Sequence, residues 1–362
     1  MLVTAVEARP LRSLHGVRVD LGEGIVSLLG PNGAGKTNLL EALYFALTGR
    51  SFRTSDRREL IPFGEQFARA EAMVRDRDGV EHRFLASISR ADGRRHLLDG
   101  NQAEATVIAR HRPPVAVFSP DRLALVKGPP AERRAHLDRY LAARWPSRAG
   151  LRQRYGQALA QRNALVARLA GGHFGGDLDI WDAALAEAGE ALIAARGEAV
   201  AELAPPFAEA ADDLGLVGGG AIEYAPRAPG SAAEIRAGLA QRREADLRLG
   251  RTSWGPHLDD VKISADDRSL RRYGSQGQQR AALLALLFAE REALLVAHRT
   301  APLLLLDDVM SELDPSRRDR LVARLLRGGQ TVITAAAEES VPAPARERLV
   351  RMPFDVARSA AA

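Results

Sequence analysis

The chain of 362 residues contains no cysteine, which removes disulfides, thiolate zinc sites and cysteine nucleophiles from consideration. Lysine is almost as scarce: of 51 cationic residues only Lys36, Lys127 and Lys262 are lysine. With so much arginine, alanine and glycine the bias points to the base composition of the coding DNA, and each retained lysine becomes conspicuous. Aromatic residues are 5% of the chain, too few to indicate a stacking platform for single strands. No apolar run approaches the ~18 residues of a membrane span, and the amino-terminal MLVTAVEARP lacks the basic and apolar regions of a secretory signal. The expected location is the cytoplasm.

What remains is the composition of an ordinary globular protein of one or two domains. The charge is unevenly placed. Residues 121–170 carry eleven Lys or Arg against three acids, whereas residues 171–215 carry one Arg against ten. The basic block is a candidate footprint for nucleic acid. Two blocks of opposite sign can equally neutralise each other as packed neighbours.

Apolar runs at 2–6, 17–21 and 25–29 predict strands, and Leu39, Leu40, Leu43, Ala46 and Leu47 have the spacing of a helix. FARAEAMVR, HRFLASISR and RRHLLD alternate apolar with polar between turn-like DRDG and ADGR, which predicts an antiparallel meander over 67–100. VAVF at 115–118 reads as a buried strand. Two apolar stripes, Leu151 to Leu169 and Leu178 to Leu203, joined by GGHFGG, predict a pair of antiparallel helices. This arm is expected to end near Pro205-Pro206, before a linker around 215–245. Beyond it, DDVKI, a helix from Gln276, the strand PLLLL, a helix from Pro315, the strand QTVIT and a short strand RLVRM complete the chain.

GPNGAGKT, residues 30–37, satisfies G-x-x-x-x-G-K-[ST] between a predicted strand and a predicted helix, the context a phosphate loop requires. Gly30, Pro31, Asn32, Gly33, Ala34 and Gly35 would let backbone amides close round phosphate oxygens, with Asn38 just beyond. Lys36 would reach the terminal phosphates and Thr37 would ligate magnesium. The partner such a loop needs is LLLLDD, a buried strand ending in Asp307 for the metal and Asp308 to orient or deprotonate the attacking water. A third element, Ser275, Gln276, Gly277 and Gln278 ahead of a long apolar helix, is either an anion-binding helix start or an ordinary one capped by Ser275.

Phosphate loop, S-Q-G-Q-Q-R, and an apolar strand ending DD before SELD (311–314) together resemble the ABC-type ATPase heads of the SMC class. The longer strings GRSFRT, FSPDRLALVKGPPAERRAHLD and WGPHLDDVKI narrow the resemblance to the RecF family of bacterial DNA replication and repair proteins, over nearly the whole chain. The resemblance implies an α/β fold: an ABC-type P-loop ATPase lobe (1–118 and 250–362) with mixed sheet and an antiparallel meander, plus a helical arm lobe (119–249). It implies ATP and Mg2+ as cofactors, with Arg12 near the nucleotide. It places Ser275 to Gln278 of one copy against the phosphate loop of another, with Ser311 and Asp314 as the D-loop, so that ATP holds two heads together.

Asp308 stands where most such heads have glutamate, which implies slow hydrolysis. Thr334 stands where transporters have a switch histidine. The usual magnesium-sensing glutamine is missing from PVAVFSPD, leaving Ser119 and Asp121 as candidates. Expected partners are double-stranded and gapped DNA and mediators of the RecR and RecO type, acting in RecA loading. The basic candidates for DNA are Arg50, Arg53, Arg57 and Arg58, and at the base of the arm Arg133, Arg134, Arg139 and Arg144. Two rivals stand beside this. An ABC head fused to a nuclease would need a further acidic cluster, for which Asp259-Asp260 and Asp266-Asp267 are the candidates. A transporter ATPase is disfavoured by the long insert and the missing histidine.

Overall fold

The computed structural model describes residues 1–352 apart from 92, 174 and 312. The chain forms two compact units, Met1–Arg122 with Leu294 onward, and Leu123–Ala293. Residues 250–293, which the resemblance groups with the ATPase lobe, thus fall with the helical segment.

The first unit contains two sheets. One is wholly parallel, in the order β14 (Leu349–Arg351), β3 (Ile25–Leu29), β13 (Thr331–Ala335), β12 (Leu303–Leu306) and β8 (Val115–Phe118). Strands β3, β12 and β13 are buried at every position, as expected of parallel strands covered on both faces. The other is antiparallel: β2 (Val17–Asp20), β1 (Leu2–Ala8), β4 (Phe67–Arg75), β5 (Glu81–Ser89), β6 (Gly93–Leu98) and β7 (Asn101–Gln102). Along β4 and β5 buried and partly exposed residues alternate, so this sheet has one covered and one open face. The mixed character of the lobe therefore lies in the pairing of two sheets.

The helix Lys36–Thr48 packs on β1, β4, β5 and β13. Leu39, Leu40, Ala42, Leu43, Phe45, Ala46 and Leu47 are all buried, the all-round apolar character of a helix enclosed on every side. It ends at Gly49 in the left-handed conformation, where His96 on β6 bonds the carbonyl of Ala46 through Nε2 at 2.9 Å. Burial, and then the charges of Arg94 and Arg112, hold the His96 pKa below its ordinary value of 6.5. The unfolded chain therefore binds a proton at higher pH than the native one, so His96 makes stability fall as pH drops through and below about 6.5. His96→Gln keeps a donor for Ala46 and is expected to flatten that limb; urea midpoints measured from about pH 5 to 8 check it.

In the second unit the helices Leu151–Ala170 and Leu178–Asp213 pack together. Arg162, fully buried, donates from Nε to Asp182 at 2.7 Å and from Nη1 to Asp246 and Thr252, each at 2.7 Å. Two carboxylates and a hydroxyl thus compensate the buried charge, while Nη2 has no hydrogen-bond partner among the described residues. Arg144 with Glu202, and Arg148 with Glu198, join the same two charge blocks. Part of the basic block is thus neutralised by its acidic neighbour.

The expected end of the arm at Pro205-Pro206 is not observed: both prolines lie inside the second helix. Each removes a backbone donor at a cost of about 3 kcal/mol. Burial of Leu203, Phe207, Ala210 and Ala211 on either side of the prolines offsets it, at roughly 1.5–3 kcal/mol for each large side chain. The stretch expected as a linker also has structure. It holds β9 (Gly220–Ala225), which pairs with β10 (Asp260–Ala265), and the helix Ala232–Gln241, started by a capping box of Ser231 and Glu234.

Candidate nucleotide site

The phosphate loop runs from the carboxyl end of β3 into the helix Lys36–Thr48, whose first-turn amides have no intrahelical acceptor. Gly33 and Gly35 have φ of 85° and 92°, the left-handed region glycine adopts without strain. A Cβ at Gly30 would lie 2.4 Å from the carbonyl oxygen of Met352, so only glycine fits beside the end of β14. Pro31, Asn32 and Gly33 are exposed and Ala34 half-buried. The Lys36 ammonium donates to the carbonyls of Gly30 at 2.6 Å and Pro31 at 2.9 Å, curled against its own loop.

Thr37, at the start of the helix, meets Asp307, just past β12. The hydroxyl lies 2.9 and 3.0 Å from the two carboxylate oxygens. Thr334, on β13, donates to Asp307 Oδ1 at 2.9 Å and accepts the backbone N–H of Asp308 at 2.8 Å. Three adjacent parallel strands, β3, β13 and β12, thereby converge on one carboxylate. Asp307 is only 6% exposed, and burial raises its pKa above the ordinary carboxylate value, against the lowering effect of the two threonine hydroxyls. A buried carboxylate with an adjacent hydroxyl is a hard-oxygen donor pair that suits magnesium.

Asp308 sits in the left-handed region at φ 51°, uncommon for a non-glycine residue. Its amide is held by Thr334, and its carbonyl accepts the Ser311 hydroxyl at 2.9 Å. Asp314 caps the helix Pro315–Leu325 by accepting from the Arg317 amide at 3.0 Å. Ser119, at the end of β8, is buried with its hydroxyl unpaired; the Asp121 side chain lies outside the described residues.

Arg12 makes a two-pronged bond to Glu41, 2.9 Å from Nε to Oε2 and 3.1 Å from Nη2 to Oε1. Glu41 is completely buried within the helix and also accepts from Ser51 and Arg53. Arg53 bonds Asn38 at 3.1 Å, and Asn38 bonds Ser13 at 2.7 Å. A single buried carboxylate thus ties together Arg12, the helix after the phosphate loop, and the segment leading to Arg57. Sequence reasoning passed over Glu41. A lone acid in an otherwise apolar helix stretch, LLEALYF, is the signal that could have found it.

In the second unit Ser275 and Gln278 form a reciprocal cap. The Ser275 amide donates to Gln278 Oε1 at 2.9 Å, and the Gln278 amide to Ser275 Oγ at 3.2 Å. Ser275 and Gln276 are exposed, and Gly277 lies in the first turn of the helix Gln276–His298.

The structure divides the basic candidates. Arg50, Arg53, Arg58 and Arg139 are exposed and Arg57 half-buried. Arg133 is 5% exposed and is held by Asp260, at 2.7 and 3.0 Å, and by the Gly128 carbonyl at 2.9 Å. A guanidinium so enclosed has no donor for DNA phosphate. Arg134 bonds the Asp259 carbonyl at 2.6 Å, and Arg144 bonds Glu202 at 2.9 Å.

The acids of the nuclease reading are likewise engaged. Asp259 accepts from Arg196, Tyr224 and the Arg227 amide, Asp260 from Arg133, and Asp266 and Asp267 form a two-residue hairpin turn with φ of 52° and 55°. Among the described residues no group of three or more histidines and acids is placed to hold a metal.

A parallel sheet with a phosphate loop on β3 and an acid past β12, joined to an antiparallel sheet across the helix Lys36–Thr48, defines a P-loop ATPase head of the ABC type. Comparison with known proteins agrees. The model of the RecF/RecN/SMC N terminal domain matches residues 2–356. The DNA replication and repair protein RecF of Streptomyces avermitilis is 36% identical over 364 residues, covering 94% of this chain and 95% of the relative. That of Anaeromyxobacter sp. is 38% identical over 339 residues, covering 90% and 89%. The chain belongs to the RecF family. A solved structure of the recombination mediator protein RecF-ATP in the RecFOR pathway superposes with a TM-score of 0.85 at 30% identity, covering 94% of this chain and 93% of that one. An SMC head bound to the C-winged helix domain of ScpA, at 16% identity and a TM-score of 0.58 over 97% and 94% of the two chains, shares the fold. No helix among the described residues is long and apolar enough to cross a membrane.

Proposed function

We propose that this chain is an ATP-switched DNA-binding protein of recombinational repair and replication restart: two copies close on duplex or gapped DNA, and slow hydrolysis reopens them. The observation that carries the reading is the convergence of Lys36, Thr37 and Asp307 on one end of the parallel sheet, and the ATP-bound relative named above supports the choice of nucleotide.

Magnesium-bound ATP would supply a cleavable terminal phosphate. The loop amides of residues 32–37 would hold its phosphates, with Lys36 exchanging the carbonyls of Gly30 and Pro31 for phosphate oxygens. Thr37 and Asp307 would offer their oxygens to the metal, which is why a costly buried carboxylate is retained. Asp308 would orient water, and its short side chain reaches less far than glutamate, so turnover is slow. The Arg12 pair with Glu41 braces this wall of the site.

The exposed Ser275 cap of a second copy would complete the site in trans, with Ser311 and Asp314 shaping the segment that faces it. A ligand that favours the dimer must bind the dimer more tightly, by a coupling of typically 1–3 kcal/mol. Arg50, Arg57 and Arg58 would meet DNA phosphates in a salt-dependent way. The RecFOR pathway named for the solved relative supports partners of the RecO and RecR type; action in RecA loading, in the cytoplasm, is part of the same proposal. Analytical ultracentrifugation tests the reading: the expected result is a monomer that becomes a dimer with magnesium and ATP and binds gapped duplex more tightly as it does. A protein that stays monomeric on DNA with ATP bound would refute the switch.

A further inference from the structure

The turn Pro62–Glu65 presents a large apolar side chain to water for no reason internal to the fold. Leu60, Ile61 and Pro62 are buried, yet Phe63, next in line, is fully exposed, at 105% of its reference area. The exposure is built in. The Glu65 amide donates to the Pro62 carbonyl at 3.1 Å, and Gly64 has φ 85°, the marks of a tight turn that needs glycine at its third position and holds its second, Phe63, at the tip. Apolar area of this size is ordinarily buried.

The surroundings are cationic. The short helix Arg57–Leu60 leads straight into the turn and packs on β5. On the other side the Arg90 amide donates to the Gln66 carbonyl at 3.0 Å, which brings Arg90 beside the turn. The Arg57 pKa is lowered by burial first and then by the charges of Arg94 and Arg50, so these guanidinium groups crowd one another. None of Arg50, Arg57, Arg58, Arg90 and Arg94 is ion-paired among the described residues, unlike Arg12, Arg53 and Arg69 nearby. The nearest carboxylates in sequence are Asp56, which accepts the Arg58 amide at 3.0 Å, Glu59, 4.0 Å from Arg12, and Glu65 within the turn. An exposed ring on a rigid tip among unpaired arginines matches one partner chemistry, a polyanion that also offers flat apolar faces.

We propose that Phe63 stacks on an unpaired or terminal base of DNA where duplex gives way to single strand, while the surrounding arginines hold the backbone. The proposal rests on the DNA-binding function proposed above and adds what that reading lacks, a side chain able to distinguish a junction from continuous duplex. A single stacked base contributes roughly 5- to 150-fold in affinity, without sequence preference, because every base has a face to offer.

The experiment uses the full chain with magnesium and ATP, and two DNAs, a continuous duplex and a gapped duplex carrying 2-aminopurine at the junction. The wild-type protein is expected to prefer the gapped DNA and to change the probe fluorescence. Phe63→Ala is expected to lose that preference by about fivefold or more and to lose the fluorescence change, with affinity for continuous duplex kept. Phe63→Trp restores both, and its indole emission is quenched on gapped DNA only. Unchanged junction preference in Phe63→Ala overturns the proposal, as does unchanged DNA binding joined to lost binding of a RecR-type mediator, which would make the tip a protein-docking element. If the wild-type protein binds neither DNA, the underlying DNA-binding reading fails instead.

Discussion

Lys36→Ala is expected to abolish ATP binding while leaving a folded protein. Lys36 is one of three lysines in a chain that otherwise uses arginine, and an ammonium on a flexible stem suits a narrow glycine loop where a planar guanidinium does not. Its two bonds to Gly30 and Pro31 show it already against the loop. Charge-assisted bonds contribute about 1.5–3 kcal/mol each, so the loss of affinity is at least about a hundredfold. The fold should persist, since the side chain takes no part in the apolar packing of the helix Lys36–Thr48, although the variant also gives up the two loop bonds to Gly30 and Pro31. Equilibrium dialysis with labelled ATP, beside a thermal melt, measures both. Retained affinity within about threefold of wild type would remove Lys36 from the site.

The second large effect separates binding from closure. Ser275→Arg is expected to leave ATP affinity intact, because Lys36, Thr37 and Asp307 are untouched, yet to keep the protein monomeric when ATP is bound. Loss of the reciprocal cap with Gln278 destabilises the helix start by about 1 kcal/mol, too little to unfold a protein of this size. A long cation at a tight interface, in contrast, adds both volume and an unpaired charge, and a buried unpaired charge typically costs 3–5 kcal/mol. Sedimentation velocity with saturating ATP decides it: an ATP-induced dimer of the variant would sink the trans-completed site.

Legibility from sequence followed the range of the forces. Strands β3 and β12 are local patterns of continuous burial, the phosphate loop is a fixed local spacing, and all three stand at the residues expected. The meander of β4, β5 and β6 was equally plain from alternation. What escaped notice depends on contacts distant in sequence. Glu41 has meaning only once Arg12 and Arg53 fold against it. Thr334 was expected merely as the replacement for a histidine, whereas its hydroxyl links Asp307 to the amide of Asp308. Pro205-Pro206 carry strong local signals to stop, and tertiary burial overrides them. β9 is short and pairs with a strand far along the chain. The helix Ala232–Gln241 did announce itself, through Ser231 and Glu234, and could have been read.

The isoelectric point of about 9.9 suggests a strongly charged surface, but several of the arginines are struts within the fold. Arg12, Arg133, Arg162 and Arg196 each lock carboxylates or backbone carbonyls within the fold. Such groups carry no loosely held counter-ions to exchange with a polyanion. For any nucleic acid that meets this chain, the salt dependence of affinity therefore counts only the unpaired arginines, at about 0.9 of a released ion for each duplex phosphate neutralised. The charge open to a polyanion is therefore smaller than the titratable charge, and the surface around Arg50, Arg57 and Arg90 holds part of it.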